Sequence, residues 1–475
     1  MFGVDSIPLY TANKITFKKG IIECKRKSSE SAGLALLWPV EGFGNILLPT
    51  ARLPERKGAY NLNVELARAK LMQITLKRED WSLFDESNSF TDLVHQSKDL
   101  FIEALQNISD PGRASLLADE SLEKALVFSE KLSARHAELF FAEKYRNKVL
   151  GRHSLGCGVE PELVDNEKYR KWLLEMFGFV TIPINWGQIE SGQGEYDFSV
   201  MDKCVDNLAK KKLAICAGPL LCFSEEYLPE WLLKGSLEFE KIREIAYEFV
   251  SRIVTRYTGY VHAWRVISGM NAFNRFGFNF EQIIEMTRTA CLAAKSADVK
   301  SRKLVEILLP WGEYYAHDRE TVPSLVYTDM IIQSGISFDA FGLQLQFGKD
   351  QPGLHIRDMM QISAMLDWFL PVSKPLHITG VAVPDLCGQG DQDCQVAGMW
   401  HKKWDQKVQA EWIEQFYRIA LSKPFINSIT YSNFADSDNI KIKGSGLLTK
   451  ELKPKKAFLI LAKLQKLILD RHKKQ

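Results

Sequence analysis

The sequence lacks the signatures of several functional classes. Among its 475 residues there is no Cys-x-x-Cys pair and no His-x-x-x-His spacing, so the usual patterns of zinc ligands are absent. No glycine-rich phosphate loop follows an apolar segment, because "GQGD" at 388–391 has the wrong context, and no Gly-x-Ser-x-Gly elbow occurs. We therefore expect neither a metal nor another cofactor.

The chain also lacks a large net charge and long apolar runs. The chain has 61 basic and 59 acidic residues, a net charge of +2, so bulk electrostatics give no reason to expect nucleic acid or an anionic membrane as partner. No stretch approaches the 18 or more apolar residues of a membrane span. The first residues, "MFGVDSIPLYTANK", show no secretory signal, from which we expect a cytoplasmic protein. A protein partner is left open.

The eight cysteines are scattered along the chain. Four of them, Cys204, Cys216, Cys222 and Cys291, lie in apolar runs and are expected to be reduced core residues. Cys387 and Cys394 share the loop "DLCGQGDQDC" and could form a bridge, although a cytoplasmic chain would keep them reduced. The sequence leaves that pairing open.

Composition and periodicity divide the chain into three parts. Residues 1–87 contain strand-like segments at 14–60, broken by Gly, Pro and Ser, and predict a small β-rich module, a β-sandwich, closed by a helix at 61–77. Residues 88–150 contain two amphipathic stretches, near 91–107 and 118–147, and form a helical connector. "SDPGRAS" separates these stretches, so that Asp119 or Ser121 would cap the second helix.

Residues 151–475 alternate short apolar runs with helical segments eight times, as in a closed (β/α)8 barrel of the α/β class. In such a barrel the functional residues follow the carboxyl ends of the strands. The strand candidates are 155–160, 178–186, 212–221, 261–270, 303–311, 338–348, 375–384 and 425–436, and the helical stretches include 238–257, 279–297, 404–421 and 453–469.

Several strand ends, taken in order, resemble glycoside hydrolase family 10, the xylanase-type retaining glycosidases. The segments that carry the resemblance are "FGFVTIPINWGQIESGQGEYDFSVMD" (177–202), "LPEWL" (228–232), "YTGYVHAWRVI" (257–267), "FGLQLQ" (341–346), "HITG" (377–380) and "GLL…LKPKKAF" (446–458). The resemblance spans roughly residues 153–465 and implies a barrel that acts on, or once acted on, a polysaccharide.

The family's functional residues carry over poorly. By this resemblance the acid/base glutamate falls on Gly269 and the nucleophilic glutamate on Gly380. Other sugar-binding positions are also replaced, while the positions that survive are largely those of the scaffold. The replaced positions fall on Thr181, Ile182, Asn185, Gly218, Cys222, Ser268, Gln346 and Tyr431, and the retained ones are Trp186, Trp231, Trp264 and Gln344.

Glycine can neither protonate a leaving group nor attack an anomeric carbon, and a retaining glycosidase needs two carboxyl groups about 5–5.5 Å apart. We therefore expect a catalytically degenerate protein that binds carbohydrate or a partner at the barrel mouth. One alternative is an active hydrolase with relocated acids, Glu313 together with Asp436 or Asp385. A second is a structural scaffold whose barrel mouth is filled by side chains.

Aromatic and polar side chains near the strand ends supply the candidate ligand contacts. Flat aromatic rings stack on sugar rings, and a few polar groups orient the ligand. A buried arginine at the mouth needs a carboxylate partner, and Glu313 is the expected partner of Arg265. The candidates are Trp186, Arg265, Asn271, Trp311, Tyr314, Gln344, Gln346 and Tyr431.

Overall fold

The computed structural model describes residues 1–3, 6–10, 15–25, 29–81, 88–211 and 213–473, without the side chains at 88–90 and 471–473. The strands are β1 (Ile15–Lys18), β2 (Ile21–Cys24), β3 (Ala35–Val40), β4 (Gly44–Pro49), β5 (Leu155–Gly158), β6 (Phe179–Ile182), β7 (Glu190–Gly192), β8 (Glu195–Tyr196), β9 (Ala214–Ala217), β10 (Leu221–Cys222), β11 (Ala263–Ser268), β12 (Arg302–Ile307), β13 (Ala340–Gln346), β14 (Leu376–Ala382) and β15 (Ile426–Tyr431).

The helices surround the barrel and form most of the N-terminal part. They are α1 (Leu62–Asp80), α2 (Asn88–Gln106), α3 (Pro111–Arg146), α4 (Glu167–Met176), α5 (Trp186–Ile189), α6 (Ser199–Ala209), α7 (Glu230–Lys234), α8 (Phe239–Arg256), α9 (Phe280–Ala297), α10 (Ser324–Gln333), α11 (Met359–Asp367), α12 (Cys394–Ala397), α13 (Gln406–Ser422) and α14 (Lys456–Lys473). Short 3-10 helices cover Arg152–Ser154, Pro161–Leu163, Glu225–Tyr227, Glu313–Ala316 and Gly390–Gln392.

The core is a closed barrel of parallel strands. Strands β5, β6, β9, β11, β12, β13, β14 and β15 pair in this order, and β15 pairs back onto β5. Each of the eight predicted segments overlaps one of these strands, so the predicted (β/α)8 barrel is confirmed. The strands read as continuous apolar runs because the barrel interior covers one face and the helices cover the other.

Irregular pairing near the strand ends determines which residues face the barrel mouth. Ser268 at the end of β11 lies opposite Glu306 on β12. On β14 one extra residue, Thr379, is inserted, because Leu343 pairs with Ile378 and Gln344 with Gly380. Such a bulge redirects side chains locally and is common beside binding sites.

Helix α3 begins earlier than the sequence analysis predicts. The predicted capping residues Asp119 and Ser121 are wrong: the helix begins at Pro111, and the Asp110 carboxylate accepts hydrogen bonds from the amides of Gly112 and Arg113 at 3.1 and 3.2 Å. The "DPG" sequence has the composition of a break between helices, but proline is also favoured in a first helical turn, where its missing N–H needs no partner.

The N-terminal part is mainly helical and packs on the barrel. Among its described residues the strands form two separate two-stranded sheets, β1–β2 and β3–β4, so the predicted small β-rich N-terminal segment is confirmed. Two sheets of two strands each do not form the predicted β-sandwich. Helix α3 packs against α13, and the β3–β4 hairpin bonds to barrel loops through Leu47 N to Ile356 O (2.7 Å) and Met399 N to Asn45 O (2.8 Å). The boundaries at residues 87 and 150 stay predictions.

One contact between the hairpin, α3 and the barrel depends on a histidine. The two ring nitrogens of His401 lie 2.7 Å from the Gly42 carbonyl oxygen and 2.8 Å from Glu130 Oε2. An ionised carboxylate and a carbonyl can only accept, so both ring nitrogens must carry protons. Burial lowers the pKa of His401, but Glu130, the Gly42 carbonyl and Glu411 on α13 outweigh it and hold the pKa above its usual value.

This geometry predicts a pH-dependent contribution to stability. A histidine whose pKa is raised on folding stabilises fully below the unfolded pKa of about 6.5, and the effect is lost as pH rises through the folded pKa. We therefore expect His401→Gln to lower the free energy of unfolding by up to about 1 kcal/mol more at pH 5.5 than at pH 9. Urea unfolding of both proteins across this range measures it. His317→Gln, at an exposed histidine, is the control, and equal losses at both pH values would contradict the assignment.

The structure settles the state of the cysteines in the described residues. Cys387 and Cys394 are disulfide-bonded, and Cys204, Cys216, Cys222 and Cys291 are free and buried, as expected of core residues. The bond runs against the expectation of a cytoplasmic chain, where such pairs are usually reduced. Within the described ranges no helix is long and apolar enough to cross a bilayer, and no group of three or more His, Cys, Asp or Glu side chains is placed to hold a metal ion.

Candidate functional site

A cavity of about 1050 Å³ opens at the carboxyl ends of the barrel strands. Its lining comes from β5, β6, β10, β11, β12, β13, β14 and β15 and from the loops that follow the strands. The volume lies at the upper end of the range of small-molecule sites. The barrel mouth is therefore open and not filled by side chains.

A buried ion pair forms part of the cavity floor. Arg265 Nη1 lies 3.1 Å from Glu306 Oε1, and the two side chains are 9% and 1% exposed. Arg265 also donates to the Gly218 carbonyl, and the Ser268 hydroxyl donates to Glu306. Burial by itself would lower the pKa of Arg265, but Glu306 outweighs it and holds the pKa above its usual value. Arg265 is therefore a charged and fixed member of the floor.

The carboxylate partner of Arg265 corrects one expectation. Sequence analysis assigned it to Glu313, but the register of β11 and β12 places Glu306 next to it. Glu306 lies inside the apolar run "KLVEILLPW", whose composition indicates a core strand and not a site residue. An acidic residue within such a run, beside a strand that carries an arginine, is the signal that identifies the pair.

Glu160, just after β5, is a second buried acid in the lining. Its carboxylate accepts hydrogen bonds from Tyr169 Oη at 2.8 Å and from the amides of Phe434 and Ala435 at 2.9 and 3.2 Å. Burial raises the pKa of Glu160 to about 8, although these three donors oppose the shift. Glu160 thus anchors the loop that follows β15, with both oxygens engaged by protein groups.

Trp311 and Tyr314 form part of the cavity wall. The Arg357 guanidinium lies 4.0 Å from the centre of the Trp311 ring and donates to Glu313. Glu313 Oε2 also accepts from the Gly353 amide. The role of Glu313 is therefore to hold the arginine that covers one face of Trp311, and its carboxylate lies outside the cavity lining.

The candidate ligand contacts divide into two groups. Arg265, Trp311, Tyr314, Gln344 and Gln346 line the cavity. The other three are buried and engaged with the protein outside the lining. Trp186 stacks on Phe249 and donates to Glu190, Asn271 donates to Leu308 O and Tyr314 Oη, and Tyr431 donates to Ser445 O.

The relocated acids are likewise not brought together in the cavity. Asp385 and Asp436 both pair with the buried Lys455, at 2.9 and 2.5 Å, while Glu313 pairs with Arg357. Burial raises the pKa of Asp385, against the effect of Lys455. Neither aspartate belongs to the lining. Two separate basic partners therefore hold the three acids of the proposed dyads.

The two glycines at the strand ends have different surroundings. Gly269 has a φ of +64°, a left-handed conformation that favours glycine. A Cβ at this position would lie 2.7 Å from Leu308 Cδ1 and 2.9 Å from Phe273 Cδ2, so a side chain here would require both neighbouring side chains to shift. At Gly380 a Cβ would lie 3.0 Å from Ser432 Oγ and 3.3 Å from Gln344 Nε2, both polar atoms of cavity residues.

Comparison with known proteins agrees with this architecture. The model of "Glycosyl hydrolase family 10" matches residues 144–464. The chain belongs to glycosyl hydrolase family 10. Among curated relatives, endo-1,4-beta-xylanase 4 of Arabidopsis thaliana is 22% identical over 237 residues, which are 48% of this chain and 39% of that protein. Endo-1,4-beta-xylanase A of Phanerodontia chrysosporium is 34% identical over 96 residues, 20% of this chain and 23% of that one.

Solved structures show the same fold. The family 10 protein of Paenibacillus barcinonensis has a TM-score of 0.52 at 17% identity, with 68% of this chain and 97% of that chain covered. Xylanase 10B of Thermotoga maritima has a TM-score of 0.51 at 17% identity, with 70% and 99% covered. At these identities the likeness establishes the family 10 barrel, and the alignment covers less than half of each curated relative named above.

Proposed function

We propose that this family 10 barrel binds carbohydrate at its mouth and does not cleave it by the retaining mechanism. The observation that carries the proposal is the conformation of Gly269, the residue that the sequence resemblance places at the acid/base position. Its left-handed φ would strain any other residue, and Leu308 and Phe273 would have to shift to admit a glutamate side chain. Gly380, assigned to the nucleophile by the same resemblance, supplies no carboxylate either.

The two buried acids of the cavity lining, Glu306 and Glu160, are both engaged by protein groups. Hydrolysis with retention of the anomeric configuration requires one neutral and one ionised carboxyl group about 5–5.5 Å apart across the scissile bond. The Glu306 carboxylate is held by Arg265 and Ser268, and both Glu160 oxygens are held by Tyr169 and the loop after β15. These contacts tie both carboxyl groups to the protein and speak against a role in catalysis.

The open cavity and its aromatic wall support binding over the scaffold alternative. Trp311 lines the cavity with Arg357 over one face of its ring, and Gln344 and Gln346 also belong to the lining. A preformed concave site with aromatic faces and a few polar groups is the usual form of a ligand site. The names of the relatives point to β-1,4-linked xylan as the first polysaccharide to test.

The first experiment tests the absence of catalysis. We expect no release of reducing sugar from xylan or aryl-glycosides above the level of buffer. Glu306→Gln and Glu160→Gln test the two buried acids of the cavity lining, and Glu313→Gln tests one relocated candidate. Turnover by the wild-type protein that any of these substitutions abolishes would overturn the proposal in favour of a hydrolase with relocated acids.

The second experiment tests binding. A glycan array followed by calorimetry with the best ligand is expected to show affinity that Trp311→Ala reduces about tenfold, since loss of one stacking ring removes roughly 1.4 kcal/mol. Trp231→Ala is a matched control, because Trp231 lies outside the cavity lining. If Trp311→Ala leaves the affinity unchanged, the ligand does not stack on Trp311 and the proposed contact is wrong.

A further inference from the structure

The β1–β2 hairpin lies outside the core of the protein. It forms a two-stranded sheet of its own, and no residue of either strand is buried. Lys19 and Gly20 in its turn have φ values of +49° and +76°, as in the tight two-residue turn that joins such strands. A two-stranded hairpin by itself is at best marginally stable in water, so this one gains stability from a surface that covers it.

The exposed side chains of the hairpin are largely apolar. Phe17 is 77% exposed, more than any other large apolar side chain in the described part of the chain, and Ile21 and Ile15 are 60% and 39% exposed. Phe17 pairs with Ile22 across the two strands, so these two side chains share one face of the sheet with Ile15. Ile21 lies on the other face, at the end near the turn. Contiguous exposed apolar groups of this kind are typical of a contact surface.

Basic residues surround these apolar side chains. Residues 14–27 contain six basic residues and one acid, a net charge of +5 in a chain whose net charge is +2. Among the basic residues that the structure describes, Lys18, Lys19 and Lys25 are exposed, and Lys25 lies 4.0 Å from the single acid, Glu23. The basic character is therefore local to the hairpin, and the charge complementary to it is negative.

We propose that the β1–β2 hairpin docks the protein on an anionic lipid bilayer. Phe17 and Ile21 enter the layer between headgroups and acyl chains, and the lysines contact acidic headgroups. Clustered Lys and Arg side chains are attracted to anionic lipids, and apolar side chains beside them strengthen the binding by leaving water. Such docking is peripheral and needs no helix that crosses the bilayer. It does not depend on the proposed carbohydrate binding.

The aliphatic side chains favour a bilayer over a nucleic acid. The phosphates of DNA or RNA would attract the same lysines, and the ring of Phe17 could stack on a base. Ile15 and Ile21, however, have no flat face to stack on a base. In a bilayer both of them lose contact with water, which is favourable in proportion to the apolar area that is buried.

The segment that precedes the hairpin lies on the rim of the barrel mouth. The Arg319 guanidinium lies 4.2 Å from the centre of the Tyr10 ring, and Pro8 Cδ lies 3.8 Å from the Cβ position at Gly312, next to Trp311 of the cavity wall. Tyr10 precedes β1 by five residues, a length of chain that spans at most about 18 Å. Docking through the hairpin therefore holds the barrel mouth near the bilayer.

Flotation of the full chain with lipid vesicles tests the docking. The probes are vesicles of phosphatidylcholine alone and vesicles of phosphatidylcholine with about 30% phosphatidylserine. We expect the protein to partition at least about tenfold more strongly onto the anionic vesicles. Salt at about 0.5 M should remove most of this binding, because it screens the attraction between lysines and headgroups.

A matched pair of phenylalanine variants tests the apolar contact. Phe17→Ala should weaken binding to the anionic vesicles about five- to tenfold, since it removes the most exposed apolar side chain of the hairpin. Phe280→Ala is the control, because Phe280 is 50% exposed at the start of α9 and outside the hairpin. It should leave vesicle binding unchanged.

A matched pair of charge reversals tests the basic contact. Lys18→Glu/Lys19→Glu should weaken binding to the anionic vesicles more than about tenfold. Lys402→Glu/Lys403→Glu, at two adjacent exposed lysines between α12 and α13, changes the net charge by the same amount and should have little effect. Circular dichroism and the melting temperature establish that each variant is folded.

Several outcomes would overturn the proposal. The first is a folded wild-type protein that does not bind the anionic vesicles, or that binds both kinds of vesicle equally. The second is an equal loss of binding in the two charge reversals, which would assign the binding to net charge and not to the hairpin. The third is tighter binding to a DNA or RNA duplex than to the vesicles, weakened by Lys18→Glu/Lys19→Glu but not by Phe17→Ala, which would assign the hairpin to nucleic acid. None of these results bears on carbohydrate binding, which the glycan experiment tests separately.

Discussion

Replacing Arg265 by methionine is expected to destabilise the protein by about 3–5 kcal/mol, the largest effect among the substitutions at the cavity. The change leaves the Glu306 carboxylate, 1% exposed, without its counter-charge, while Ser268 alone continues to donate to it. An uncompensated buried charge costs far more than the intact pair contributes. Urea unfolding monitored by tryptophan fluorescence measures the loss.

Two further variants identify the cause. Arg275→Met breaks an exposed pair with Glu225 at the surface and should cost less than about 1 kcal/mol. The double variant Arg265→Met/Glu306→Leu removes both buried charges and should recover most of the stability lost in the single variant. If the double variant is as unstable as Arg265→Met, the loss reflects packing and not the unpaired carboxylate.

The barrel could be predicted from the sequence because its signal is repeated. Eight apolar runs alternate with helical segments, and the apolar composition of each run indicates a buried strand. The start of α3 was missed because "SDPGRAS" also has the composition of a break between helices. Only the structure distinguishes proline in the first turn of a helix from proline beyond its end.

The site was predicted less well, for reasons that lie in pairing between strands. Periodicity places Arg265 and Glu306 on neighbouring strands but does not give the register that makes them partners. The bulge at Thr379 consists of one inserted residue, and the sequence "HITG" does not predict it. The sugar-binding candidates Gln344 and Gln346 lie two residues apart on β13 and therefore share one face of the strand. Both line the cavity.

The N-terminal part and the barrel share a buried ion pair that sequence analysis did not anticipate. Lys70 on α1 lies 2.7 Å from Asp358 at the start of α11, and the two side chains are 4% and 0% exposed. Asp358 also caps α11 by accepting from the amides of Met360 and Gln361. The pair joins residues that are 288 positions apart, so it fixes the two parts of the chain against each other.

Asp358→Asn is expected to cost about 3–5 kcal/mol, because it retains a good capping side chain but leaves the Lys70 ammonium buried without a counter-charge. The free energy of unfolding in urea measures the loss. Asp110→Asn is the matched control: Asp110 caps α3 at an exposed site without a buried cation, so the same change should cost less than about 0.5 kcal/mol. Equal small losses in the two variants would mean that the ion pair does not hold the N-terminal helices on the barrel.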